Sequence, residues 1–418
     1  PVSFQPYCAR SSSGKAVFRP NGLNLYLLAN STWYLAFAIQ MVVFAWLITI
    51  QLNESPTRVG VAQMALLLPS LIFILIGGSL ADRYGGRLIA IIGQSAAALG
   101  PIGLTLIIVS GHLSFQTVIL FALWMGTAQA LVTPARDGLL AKLAEGKVQK
   151  LVIKVSMIQF GIQILGFMIA AKADQLGATA VLCTQSAILS LGVIAFAALK
   201  IDESTSHSDV GFTRHIVDSI IEGFTTVRST PALLTVTLQN LAMGLFLMGS
   251  YIVTMPLLIR QNHEGTSSEL AWMNIANAAG LFLSSMTLLR MGGVKRPGRA
   301  LLLSLAVAGL LLGCAAFAGS FAELIFVVFL WGVSGGLVMI MSRSIMQEQA
   351  PAEQRGRIMA FFSLSFMGAG LFGSLLNGYL VEIFHAEGAL LFAASGIILA
   401  VVLIRVMSSI WHLESHSS

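Results

Sequence analysis

Twelve long apolar stretches decide what this sequence can fold into. A helix that crosses the hydrocarbon core of a bilayer needs about 20 mostly apolar residues, and it satisfies its backbone polar groups internally. Each stretch has that length. The sequence therefore predicts an all-α polytopic membrane protein with twelve transmembrane helices, at residues 23–50, 58–80, 88–110, 115–135, 151–172, 177–199, 232–259, 268–290, 299–319, 322–342, 356–381 and 388–408.

Composition excludes a soluble fold and gives no sign of an enzyme. Only 10% of the residues are charged, whereas a soluble domain carries roughly 25%. Cys8, Cys183 and Cys314 lie far apart, which indicates neither a disulfide framework nor a thiolate metal site. A membrane-embedded enzyme would need paired acids, a histidine cluster or a nucleophile with its base. We see none of these, so we predict no catalytic residue and no metal site.

The longest polar stretch divides the predicted helices into two sets of six. The predicted organisation is an N-terminal tail (1–22), a six-helix bundle (23–199), a linker (200–231), a second six-helix bundle (232–408) and a C-terminal tail (409–418). Within the linker, Ile216, Ile220, Phe224 and Val227 recur at helical spacing. This spacing predicts an amphipathic helix on the membrane surface, and a solvated linker is the alternative.

The basic residues predict the orientation in the membrane. If both termini lie on the inner side, all of the 24 Lys and Arg residues fall on that side except Arg58, Lys172 and Arg260. This asymmetry follows the positive-inside rule. It predicts cytoplasmic termini in a bacterial inner membrane, and it explains the net charge of +6 without a nucleic-acid partner. We call the two ends of the helices the predicted inner end and the predicted outer end.

The two halves repeat each other weakly. When the chain is shifted so that Trp124 falls on Trp331, Arg136 falls on Arg343 in the same register. Chance matches of Gly and Leu are common in such sequences, but a Trp followed at one spacing by an Arg in both halves is harder to obtain by chance. Paired six-helix halves are typical of transporters whose central site opens to each side in turn.

A glycine-rich motif lies between the second and third predicted helices. It reads Gly78-Ser-Leu-Ala-Asp82-Arg83-Tyr84-Gly85-Gly86-Arg87 and resembles the G-x-x-x-D-R-x-G-R/K signature of the major facilitator superfamily. The resemblance implies twelve helices in two pseudo-symmetric six-helix bundles and secondary transport by a rocker-switch form of alternating access. The alternative is a charged cytoplasmic turn of the kind that any membrane protein has.

The same resemblance implies a conformational latch at the predicted inner end. In the family, the motif Asp fastens the two halves through an Arg that ends helix four and through the start of helix eleven, here the segment near Glu353. A carboxylate beside a helix N-terminus is also electrostatically favourable. The implied latch residues are Gly78, Asp82, Arg83, Gly85, Arg87 and Arg136. The counterpart in the second half, 293–299, keeps its basic residues but lacks the acid, which leaves one latch.

Further segments resemble the subgroup that contains the enterobactin exporter and macrolide efflux proteins. They are 45–47, 55–56, 133–136 and 351–357. The resemblance implies a monomeric exporter of a drug, siderophore or amphipathic metabolite, with no cofactor and a proton gradient as the candidate energy source. Antiporters of the superfamily often carry a Gly-Pro pair in helix five, where this chain has Phe167. An uncoupled facilitator or a lipid or lysolipid transporter is therefore the alternative, and a receptor that no longer cycles is the alternative outside transport.

Neutral amides are the polar residues at predicted mid-membrane depth. The charged candidates, among them Asp174, Arg260 and Glu382, fall near predicted helix ends. An amide left unpaired in hydrocarbon is costly, so we expect these side chains to line a central substrate cavity, and hydrogen bonds between helices are the alternative. The predicted cavity residues are Gln40, Gln63, Gln129, Gln159, Gln163, Gln239, Asn240, Asn274, Asn277 and Asn377. Such a cavity would suit an amphipathic, weakly charged solute.

Overall fold

The structure is a computed structural model that describes residues 20–143, 148–200, 224–263, 265–291, 294–351 and 354–413. The described residues form long helices joined by short turns, and they contain no strand. The helices are α1 (Pro20–Trp46, continued by a π-helical segment at Leu47–Gln51), α2 (Pro56–Tyr84), α3 (Gly86–Val109), α4 (Phe115–Leu143), α5 (Val148–Ala170), α6 (Ala173–Ala198), α7 (Pro231–Ala242, Met243–Met248, Ser250–Thr254 and Met255–Asn262), α8 (Ser267–Met291), α9 (Pro297–Ala315), α10 (Phe321–Gln349) and the long helix Arg355–Met407.

Local signals set several of the helix ends. The long helix is broken at His385 (φ 60°), and we call its two arms α11 and α12. Proline lies in the first turn of α2 and α9. The N–H groups of a first turn have no partner within the helix, so proline, which lacks this group, costs no hydrogen bond there. Gly85 alone separates α2 from α3 and has φ 91°, a conformation that disfavours a side chain. The glycine of the motif therefore makes the turn between these helices.

Nine helical stretches in the described part of the chain are long and apolar enough to cross a membrane, and the last of them covers both arms of the broken helix. The predicted all-α membrane fold is confirmed. The count of twelve crossings stays a prediction, because some helices fall short of these limits. For example, α8 (Ser267–Met291) is long enough but is not among the nine.

The helices pack as two similar groups, which we call the N half (α1–α6) and the C half (α7–α12). In the N half α4 packs against α2 and α3, and in the C half α10 packs in the same way against α8 and α9. Small residues allow the close approach. A β-carbon on Gly126 would lie 2.3 Å from Leu66 O, and one on Gly332 would lie 2.3 Å from Asn277 O. The residue boundaries of the predicted domains stay predictions.

The predicted amphipathic helix of the linker lies mostly outside the described residues. Residues 224–229 are helical. The Phe224 ring packs 6.0 Å from that of Phe361, and Thr226 Oγ1 donates a hydrogen bond to Gln354 Oε1 at 2.7 Å. The end of the linker is thus fastened to the beginning of α11.

Candidate substrate-binding site

A central cavity of about 170 Å³ lies between the two halves. Residues of α1, α2, α4, α7, α8 and α11 line it. Its walls are mainly apolar, and the described residues among them include no charged side chain. The apolar side chains include two phenylalanines and four methionines: Phe37, Phe44, Met41, Met248, Met273 and Met367. Flexible thioethers and aromatic rings can adapt to ligands of different shapes.

Four of the predicted amides meet in this cavity. Gln40, Gln63 and Gln129 come from the N half, and Asn274 comes from the C half. Asn274 Oδ1 accepts a hydrogen bond from the Tyr251 hydroxyl at 2.7 Å, and its Nδ2 donates to a backbone carbonyl of its own helix. The site therefore offers neutral hydrogen-bonding groups from both halves on an apolar surface. Their binding of a substrate stays a prediction.

Three other predicted amides are occupied by contacts between helices of the C half. Gln239 Oε1 accepts from the Ser342 hydroxyl at 2.8 Å, and Asn240 Nδ2 donates to Phe362 O at 3.1 Å. Asn377 accepts from two hydroxyls of α7, each at 3.0 Å. None of the three lines the central cavity, which fits the alternative interpretation for these positions. The remaining predicted residues are half-buried and lie outside its lining: Gln159, Gln163 and Asn277.

Buried amides of the N half were missing from the sequence prediction. Gln185 of α6 is fully buried, and its Nε2 donates to Gln40 Oε1 at 3.3 Å. Gln94 of α3 is also fully buried and donates to Thr32 Oγ1 and Leu189 O at 3.2 and 3.1 Å. Both lie well inside predicted helices, so a complete inventory of amides in the apolar stretches would have found them.

The predicted outer end is closed by a contact around Asp174, at the beginning of α6. Its carboxylate accepts hydrogen bonds from the backbone N–H of Ser267, at the beginning of α8, and from Trp46 Nε1 at 2.8 Å. Ser267 Oγ accepts from the Asp174 N–H at 3.2 Å and donates to Ala171 O at 3.1 Å. A carboxylate of the N half thus caps a helix of the C half, which the dipole of that helix favours.

Two further contacts join the halves at the same end. Arg260 of α7 donates to Thr49 O at 3.1 Å and to Glu54 O at 2.8 Å. Thr57 of α2 donates to the Glu382 carboxylate of α11 through its hydroxyl and its backbone N–H. We call the contacts of Asp174, Arg260 and Glu382 with the opposite half the outer gate. These hydrogen bonds, and the one from Ser267 Oγ to Ala171 O, all join the halves at the predicted outer end.

Comparison with known proteins decides the family. The sequence profile of a major facilitator family, described as transmembrane secretion effector, matches residues 13–418. The chain belongs to this family. The resemblance inferred from the motif is therefore confirmed, and the chain is a secondary transporter that works in a lipid bilayer on a small molecule. It is not an enzyme, and transporters of this superfamily generally need no cofactor. The described residues contain no cluster of metal ligands.

Several transporters are similar along most of this chain. The multidrug efflux pump Tap of Mycolicibacterium fortuitum is 25% identical over 86% of this chain and 89% of its own length. The enterobactin exporter EntS of Escherichia coli (strain K12) is 21% identical over 81% and 80%. The crystal structure of the nucleoside transporter NupG superimposes with a TM-score of 0.75 at 12% identity, covering 93% and 99%. An auto-inhibited peptide transporter of the POT family gives 0.72 at 14% identity, covering 96% and 99%. The likeness to solved structures shows the fold.

Arg136, the arginine of the predicted latch, lies against two aromatic rings at the predicted inner end. Arg136 is only 3% exposed, and its guanidinium lies over the rings of Tyr34 and Trp33, 4.5 and 5.7 Å from their centroids. One of its nitrogens donates to Tyr34 Oη at 3.1 Å, and the Tyr26 hydroxyl donates to the Arg136 carbonyl at 3.2 Å. Arg136 is thus held against α1 within its own half.

The other latch residues lie around the turn between α2 and α3. Arg87 Nε donates to Phe196 O at 3.0 Å, at the end of α6. Arg83 is exposed and its guanidinium lies over the neighbouring Tyr84 ring. Gly78 packs beside Pro134 of α4. The Asp82 side chain and Glu353 lie outside what the structure describes, so the latch stays a prediction.

Proposed function

We propose that this transporter exports an amphipathic, weakly charged small molecule (a drug, siderophore or metabolite) across the bacterial inner membrane by a rocker-switch movement. The observation that carries the proposal is a cavity between the two halves with an uncharged described lining, closed at the predicted outer end by hydrogen bonds between the halves. Such a state is expected of a transporter that opens to its two sides in turn. Export is supported by the similarity to an efflux pump and an exporter.

The orientation follows from the basic residues. With both termini cytoplasmic, the gate closes the outer side and the cavity is loaded from the cytoplasm. We propose that the transporter works as a monomer without a nucleic-acid partner. In the outward-open state, Asp82 would engage Arg136, and the loss of that contact would accompany opening to the inside.

An uncoupled facilitator, or a lipid or lysolipid transporter, is the second candidate. No carboxylate is among the described residues that line the central cavity, and Phe167 replaces the proline common in antiporters. Transport of a panel of dyes, antibiotics and siderophores into and out of proteoliposomes tests both candidates. Movement that depends on an imposed proton gradient supports antiport, and movement that ignores it supports the facilitator. Failure to move any compound of the panel contradicts the proposed substrate class.

Replacing Asp82 by asparagine is expected to slow transport severalfold while the protein remains folded and inserted. The amide keeps the shape of the side chain but removes the charge that the latch would use. Initial transport rates in proteoliposomes measure the effect. Glu348→Gln is a matched control, because Glu348 is an exposed carboxylate at the same end that accepts a hydrogen bond from Ser344 of its own helix. Equal rates for Asp82→Asn and the wild type would rule out the latch.

A further inference from the structure

A small pocket in the N half opens beside the central cavity. Its volume is about 10 Å³, which is room for about one water-sized group. Phe37, Gln40 and Gln129 line both spaces, so a molecule in the central cavity can extend one group into the pocket. The side chains that matter for its chemistry are Trp33, Phe37, Gln40, Met125, Gln129 and Gln185.

Gln185 gives this pocket an unused hydrogen-bond acceptor. The side chain is fully buried, and no described protein group donates to its Oε1. Its amide nitrogen is already bonded to Gln40 Oε1. The neighbouring Ser186, by contrast, donates to Ala98 O at 2.7 Å. A buried carbonyl without a donor is unfavourable, so a donor that reaches this oxygen when the side chain turns toward the pocket gains a hydrogen bond without displacing a protein donor.

The surroundings restrict which donor fits. The described residues that line the pocket carry no charge, so an ammonium group would lose its hydration without gaining a counter-charge. Trp33 and Phe37 present flat rings, and Met125 adds a flexible thioether. A hydroxyl or N–H group at the edge of a flat apolar ring matches these walls. An ether of the same ring can accept hydrogen bonds but cannot supply the missing donor.

We propose that this pocket, the Gln185 subsite, binds a neutral hydrogen-bond donor carried on a flat apolar part of the transported molecule. The proposal deepens the proposed function and rests on it, because it assumes that the central cavity holds the substrate. Gln185 Oε1 accepts the hydrogen bond in the pocket, and the Phe37 ring, which lines both spaces, holds the flat body. The transporter then selects its substrate by a hydroxyl or N–H group and not by charge.

A pair of probes that differ in one donor tests the subsite. The probes are 2-naphthol and 2-methoxynaphthalene, and the measurement is equilibrium dialysis at neutral pH against the full chain in nanodiscs, with protein-free nanodiscs subtracted. We expect 2-naphthol to bind about three- to tenfold more tightly, the effect of one neutral hydrogen bond. Gln185→Leu should remove this ratio by weakening 2-naphthol alone. Phe37→Leu should weaken both probes, because Phe37 lines both spaces.

A control variant and a second Gln185 variant complete the test of the subsite. Thr184→Val alters the adjacent, exposed residue, whose hydroxyl bonds to its own helix, and should preserve the ratio. Gln185→Met repeats the test with an unbranched side chain if the leucine variant unfolds on heating well below the wild type. Three outcomes would overturn the subsite. They are equal binding of the two probes, an affinity ratio that both Gln185 variants preserve, and binding of neither probe. Transport is assayed separately from probe binding. If the protein transports its substrate but binds both probes equally, only the subsite is contradicted. If it prefers 2-naphthol but transports nothing, only the proposed function is contradicted.

Discussion

Replacing Gly378 with leucine is expected to abolish transport while the protein remains folded and inserted. Gly378 of α11 packs against the beginning of α2, and a β-carbon there would lie 2.7 Å from Pro56 O and 3.1 Å from the Gly60 Cα. Carbon atoms in contact lie about 3.5–4.0 Å apart, so a leucine cannot be placed between the two helices. The crowded surface is the interface between the halves at the outer gate. The variant should therefore be unable to close on that side.

The matched control is Gly103→Leu in α3. A β-carbon on Gly103 would meet no atom within 4 Å, so the substitution adds the same side chain without blocking an interface. Initial transport rates in proteoliposomes compare the two variants, and size-exclusion chromatography establishes that both are folded. Near-normal transport by Gly378→Leu would show that the observed closure is not a step of the cycle.

Replacing Asp174 by alanine is expected to increase opening at the predicted outer end by about tenfold. Hydrogen bonds to a charged group contribute about 1.5–3 kcal/mol each, and about 1.4 kcal/mol changes an equilibrium constant tenfold. Asp174 is exposed, so water competes for its carboxylate and the lower figure applies. The variant loses the contact of the carboxylate with Ser267 N–H, which joins the two halves. The closed state should lose stability relative to the open one.

Labelling of the cavity from outside measures this opening. In an otherwise cysteine-free chain, Asn274→Cys is treated with a membrane-impermeant maleimide on the predicted outer side, with and without Asp174→Ala. Glu323→Ala is the control, because the exposed Glu323 carboxylate bonds to Gly319 N–H within the C half. An unchanged labelling rate in the Asp174 variant would mean that the carboxylate does not hold the gate closed.

The sequence predicted the helices because hydrocarbon imposes length and composition on each of them. The break at His385 falls in the predicted gap between 381 and 388. The helices nevertheless extend past the apolar stretches at their predicted inner ends. α2 continues to Tyr84 and α4 to Leu143, beyond the expected ends at 80 and 135. A helix can leave the membrane and continue in water, where hydropathy no longer marks its end.

The cavity could be predicted only in part, because the sequence does not give the rotation of each helix. Gln129 faces the central cavity and Gln239 faces Ser342, although both are amides in apolar helices. Packing against neighbouring helices decides which face a residue presents, and no periodic pattern distinguishes the two in a helix that is apolar on all sides. The π-helical segments of α7 also leave no mark in the hydropathy pattern.

The outer gate could not be predicted from the sequence, for a different reason. Asp174, Arg260 and Glu382 were recognised as residues near helix ends, where a charge needs no special explanation. Their partners are distant in sequence: Asp174 meets Ser267, and Arg260 meets Thr49. Such pairs depend on how the two halves dock, and a backbone N–H or carbonyl as partner carries no side-chain signature.

The distances between the halves at both ends test alternating access most directly. Spin labels at Lys172 and Gln261 report the predicted outer end, and labels at Lys142 and Glu348 report the predicted inner end, since all four residues are exposed at helix ends. Double electron–electron resonance should show that Gly378→Leu lengthens the outer distance and shortens the inner one. Distances that change in the same direction, or that do not change, would contradict a transporter whose two halves open one side as they close the other.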